Sequence, residues 1–168
     1  MTEPDAGQLV HLLLHLEAER ILTVARTRSN PTKTKEGLVK LDEEIALLLS
    51  GLERRGISYP GHLLGARYNL SGTEYMLLNL ALMPHHSPSL VMELAEWTPS
   101  TARTPHWSWG AWLAGGSCAD TPLFRRSFQG RPLLTEQLLL CTEPVEKDET
   151  LRPHVAVLEL YGLGDSSP

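Results

Sequence analysis

Between Ser71 and Pro84 the chain reads SGTEYMLLNLALMP, and this stretch restricts the fold more than any other. Ser71 with Glu74 three positions on is a capping box, in which each side chain satisfies a backbone N–H of the other residue and so starts a helix. Tyr75, Met76, Leu78, Leu80, Ala81, Leu82 and Met83 then leave few polar positions on any face. A helix that is apolar nearly all round has to be covered on all sides. Pro84 closes it, because proline has no backbone N–H to continue the ladder. The remainder of the chain must therefore provide the cover.

Two longer helices precede this one. Over residues 5–28, Leu9, Leu13, Leu16 and Val24 run beside a second row of Val10, Leu14, Ile21 and Ala25, with Glu17, Glu19, Arg20 and Arg26 on the other side. Asn30-Pro31 ends this helix. Over residues 35–55, Leu38, Leu41, Ile45, Leu48 and Leu52 alternate spacings of three and four and form one narrow seam. Arg54 and Arg55 suit the carbonyl end of that helix, and Gly56 suits a left-handed cap. The short connection predicts an antiparallel hairpin. Ser58-Tyr59-Pro60-Gly61 is a turn cluster and a boundary. A short helix over 62–68 leads into the capped one. After it Ser87 reads as a cap and Pro88 as the first residue of another helix, whose inner face carries Leu90, Val91, Leu94 and Trp97.

The pattern then loosens. A stretch rich in Pro, Thr and Ser covers 98–105, and short helices follow over 106–114, with Trp107, Trp109 and Trp112, and over 122–129. Leu138-Leu139-Leu140-Cys141 reads as a strand, residues 154–160 alternate loosely and read as a second one, and a polar linker over 143–153 joins them. The predicted fold is mainly α with a small β-element. It comprises an N-terminal helical hairpin (1–56), a winged-helix-like domain with a helix–turn–helix and a two-stranded wing (57–162), and a linker or tail (163–168).

Chemistry-bearing patterns are sparse. His11 and His15 stand four apart on one helix face, but the motif is not His-Glu-x-x-His and that face offers no third ligand. His85 and His86 fall in an inter-helix turn. Ser117-Cys118 lacks the glycines and preceding strand of a nucleophile elbow, and no glycine-rich phosphate loop is present. No catalytic residue, metal or cofactor is expected. Cys118 and Cys141 lack metal spacing and read as buried reduced thiols. No apolar run reaches the ~20 residues that span a bilayer, and no secretory signal is apparent, so a cytoplasmic location is expected and no membrane partner. The net charge of -5 argues against nucleic acid as the main partner. Trp109 and Trp112 share a helix face, with Trp107 off it, and tryptophans are enriched at binding surfaces. Arg125 and Arg126, with Arg131 nearby, make the densest basic patch of the second half. Trp107, Trp109, Trp112, Arg125 and Arg126 are therefore the expected partner-binding residues.

The segment 62–97 resembles the winged-helix-like N-terminal domain that precedes the ATPase core in a group of bacterial AAA+ proteins, including those encoded with phage-tail-like contractile injection systems. Leu70, Ser71, Glu74, Leu77, Leu78, Leu80, Ala81, Leu82 and Pro84 carry the likeness, and Arg131-Pro132-Leu133 to Leu140 with Val155 to Leu160 resembles the closing segment. The resemblance implies a non-catalytic module that recruits a protein partner to an ATPase core outside this sequence. The alternative is a winged-helix DNA-binding regulator with residues 88–97 as its recognition helix. That helix carries Glu93 and Glu96 and no Lys or Arg, whereas reading base edges and phosphates calls for cationic donors.

Overall fold

A computed structural model of the protein describes residues 5–140 and 150–163. The first helix, α1 (Ala6–Arg26), starts at Asp5. The Asp5 side chain accepts from the Gln8 N–H and the Gln8 side chain from the Asp5 N–H, both at 2.8 Å. Helix α2 (Pro31–Arg54) begins four residues ahead of the expected start. Asn30 caps it by accepting from the Lys33 N–H, and Pro31 takes the first helical position, where its missing N–H costs nothing. The dipeptide that stops one helix thus starts the next. Thr34 Oγ1 donates to the Thr27 carbonyl at 2.9 Å and pins the turn. The two helices pair along the predicted seam, with Ile45 and Leu52 buried and Leu48 packed against the core.

Helix α3 (Pro60–Tyr68) ends on Asn69, which adopts a left-handed conformation. Helix α4 (Gly72–Leu82) has the predicted capping box, and Leu77, Leu78, Leu80, Ala81 and Leu82 are fully buried. Glu74 is buried too: it accepts from the Ser71 N–H and, at 2.6 Å, from Arg131. Burial works against this carboxylate, but the bonds from Arg131 and Ser71 outweigh it and hold its pKa below the usual value. A 3-10 turn (Met83–His85) leads to α5 (Pro88–Trp97), which buries Leu90, Val91, Leu94 and Ala95. Ser87 does not cap α5 with its side chain; its hydroxyl lies 2.8 Å from His86 Nδ1 and 3.2 Å from His15 Nδ1.

The second half consists of short pieces: α6 (Trp107–Leu113), a 3-10 turn (Cys118–Asp120), α7 (Thr121–Arg126), α8 (Pro132–Thr135), strands β1 (Leu139–Leu140) and β2 (Arg152–Pro153), and α9 (Val155–Leu160). The molecule is mainly helical with one two-stranded antiparallel sheet, in the register Leu139 to Pro153 and Leu140 to Arg152.

The expected wing needs correction. Residues 154–160 are not a strand. His154 Nδ1 accepts from the Ala156 N–H at 3.0 Å and starts α9, which turns Val157 and then Tyr161 inward at helical spacing. Pro153 brings no N–H to the ladder, and beyond it the His154 N–H still donates to the Leu138 carbonyl at 3.0 Å before the chain turns into α9. The expected linker lies mostly outside the described residues, as does Cys141. Cys118 is half-buried rather than buried, its thiol turned toward the Ser108 carbonyl.

The boundary expected after residue 56 does not separate two cores. Helix α1 packs mainly on α2 and also reaches α4, α5 and α6, and one cluster of buried side chains runs from Leu9 to Tyr161. Among the described residues, no helix is long and apolar enough to cross a membrane.

Candidate functional site

The tryptophan cluster is mostly core. Trp107 is 1% exposed and Trp109 0%. Trp107 packs against Phe124 and Phe128, with the Arg125 guanidinium 5.8 Å from its ring. Gly110 lies so close to α4 that an added Cβ would meet Leu77 at 2.5 Å. A seven-residue helix wedged between α4 and α7 is covered on both flanks, so the expectation that Trp107 and Trp109 face a partner is overturned. Arg125 is buried as well, at 3% exposure, and is removed from the expected basic patch. Arg131 is engaged by Glu74, which leaves Arg126 on the surface. Of the three indoles only Trp112 is partly exposed, and the Arg28 guanidinium stacks over it at 4.6 Å.

Arg28 organises the surface around Trp112. It follows α1, and its Nη2 donates to the Gly116 carbonyl at 2.6 Å, tying the hairpin turn to the end of α6. A groove opens on each side of it. One, about 500 Å³, lies between α1 and α2 on a floor of Val24, Leu38 and Leu113, with Arg20, Lys35 and Asp42 on its rim. The other, about 630 Å³, is lined by Ala25, Arg26, Ser29 and Trp97. Trp97 closes α5 and is 47% exposed. Arg26 is paired with Glu93 and Arg20 with Asp42, so both rims are partly charge-compensated.

Below the first groove, and sharing Arg20, Val24 and Leu113 with it, is a smaller pocket of about 110 Å³. Glu17 and Asn79 face one another there. Asn79 Nδ2 donates to Glu17 Oε2 at 3.3 Å and to the Tyr75 carbonyl at 3.1 Å. Burial drives the Glu17 carboxyl up to about 7, against the pull of Arg20 and with a push from Asp42. Behind it Tyr59 and Tyr161 are buried, ring edge to face, and their hydroxyls have no partner among the described residues. Burial, first of all, raises the pKa of both phenols.

A second polar focus lies where α1 meets the turn before α5. His11 and His15, which the sequence places on one face, are joined there by His85 and His86. Burial lowers His86 to about 4, with help from its three neighbouring imidazoles. His15 Nε2 is 3.7 Å from Glu19. Among the described residues, no three His, Cys, Asp or Glu side chains are arranged to hold a metal ion.

Sequence reasoning missed Glu17, Asn79, Arg28 and Trp97 as surface or pocket residues. A signal existed for two. Glu17 falls in the buried row Val10, Leu14, Ile21, and Asn79 is the one amide in the run from Tyr75 to Met83. Arg28 and Trp97 carry no such local mark. Compared with known protein families, with curated proteins and with solved structures, the chain finds no match.

Proposed function

We propose that this chain is a non-catalytic protein-interaction domain, and that it docks its partner through the twin grooves flanking Arg28. The observation that carries the reading is the juxtaposition of Trp97, Trp112 and Arg28 beside an apolar floor. Trp and Arg are the residue types that dominate interface energetics, and a pre-built apolar groove with a polar rim is the usual anatomy. The resemblance to the N-terminal modules of bacterial AAA+ proteins supports the same reading and adds an ATPase core, carried outside this sequence, as the machine to which the partner is recruited. The exposed side of α5 offers Ser89, Met92, Glu93 and Glu96, with no cation for a phosphate, which favours a protein over a nucleic-acid partner.

A photo-reactive phenylalanine analogue placed at Ser29, in the groove, and at Ser50, on the exposed side of α2, tests the reading in lysate of the source cells. A partner is expected to be trapped from position 29 and not from 50. Arg28→Ala combined with Trp97→Ala should weaken its binding at least about tenfold. Equal trapping from both positions, or none from 29, would overturn the reading.

A further inference from the structure

The pocket beneath the hairpin groove has a chemistry of its own. Its charges are Glu17, Arg20 and, just outside, Asp42. Arg20 Nε and Nη2 donate to the two Asp42 oxygens at 2.6 and 3.2 Å, so that cation is already neutralised from α2. Glu17 is left as the uncompensated charge. Asn79 is 3% exposed and lines the pocket, its amide donating to Glu17 Oε2 and to the Tyr75 carbonyl. One anionic acceptor, the Glu17 carboxylate, therefore lines a space walled by Ile21, Val24, Met76 and Leu113. A largely buried carboxylate without a counter-charge is costly. That cost is removed by an ammonium group on an aliphatic stem.

From this geometry we infer that the pocket is an anchor site for a lysine side chain of the partner polypeptide, its ammonium on the Glu17 carboxylate and its methylenes against the apolar wall. The inference rests on the protein-interaction reading and gives the partner a defined chemistry. A volume of about 110 Å³ falls below the roughly 300 Å³ at which cofactor and drug-sized sites begin, so it suits a single side chain. Lysine fits better than arginine, because Asn79 already holds one oxygen of the carboxylate, which suits a compact ammonium, while a planar guanidinium seeks both oxygens. Only the ionised carboxylate attracts the ammonium. Burial keeps Glu17 protonated up to about 7 in the empty pocket, so capture releases a proton and strengthens as pH rises. Arg20 on α1, Asp42 on α2 and Tyr75 on α4 are the other groups facing this carboxyl.

Titration of the whole protein with n-butylammonium, followed by NMR shifts of the pocket amides, tests the site without any macromolecular partner. Binding is expected to weaken about tenfold from pH 8 to pH 6, the change in ionised fraction of a group titrating at about 7. n-Butanol should produce no such shifts. Glu17→Gln, which keeps the shape and removes the charge, should abolish the pH dependence and lower the affinity at least about tenfold. A trimer with lysine between two leucines should bind at least about tenfold tighter than n-butylammonium, and its norleucine counterpart should not. Equal binding of amine and alcohol, or an unchanged pH profile in Glu17→Gln, would overturn the amine site. A trimer no tighter than the free amine would overturn the polypeptide source. Amine binding without trapping at Ser29 would sink the docking reading alone.

Discussion

His86 shows how one residue can set the response of the fold to acid. It is hydrogen-bonded to Ser87, and burial, then the charges of three nearby imidazoles, lower it to about 4. In the unfolded chain it protonates near the ordinary value of about 6.5. Between these values the unfolded state holds more protons, so the stabilising contribution is complete above about 6.5 and is lost as pH falls toward 4. The shift corresponds to about 3 kcal/mol, and partial exposure reduces this to about 2. Urea unfolding at pH 7, 5.5 and 4 should therefore show wild type losing about 2 kcal/mol more than His86→Asn, whose amide can keep a bond to Ser87. Parallel losses in the two proteins would refute the assignment. Glu74 pulls the other way on the design of the core. It is the one fully buried acidic side chain among the described residues, and Ser71 and Arg131 both bind its Oε1.

At the scale of elements, the junction of α4 and α6 is closely fitted at one glycine. Gly110 lets the short helix approach until Leu77 and Phe124 lie where a methyl group would stand. Gly110→Ala is thus expected to destabilise by about 1–3 kcal/mol, despite alanine's better helix propensity, as read from the midpoint of thermal or urea unfolding. An unchanged midpoint would mean that α6 shifts freely on α4. Helix starts were legible in the sequence because their signals are local: Ser71 with Glu74, and proline at first-turn positions 88 and 122. The end of the chain was not. Residues 155–160 bear two valines, an alanine and two leucines, which suit a half-buried strand and a one-turn helix equally, and the cap from His154 decided between them.

At the scale of the molecule, α1 is the axis. Its eight buried residues face the hairpin partner on one side and α4, α5 and α6 on others. Removing residues 1–56 should therefore leave 57–168 without a cooperative fold, seen as lost chemical-shift dispersion and no sigmoidal unfolding transition. A truncated protein that unfolds cooperatively would restore the two-unit description expected from the turn at 58–61. The helical character, the caps, the central place of α4 and the apolar faces of the hairpin were determined by sequence alone, because each depends on residues within about one helical turn of each other. Which indoles are core and which face is open was decided only by tertiary packing. Asn79 meets Glu17 across 62 positions, and Arg28 reaches the Gly116 carbonyl across 88. Pairs so distant leave no periodic trace in the chain. They form only when the apolar faces have fixed where each helix lies, and the polar groups then take the partners left within reach.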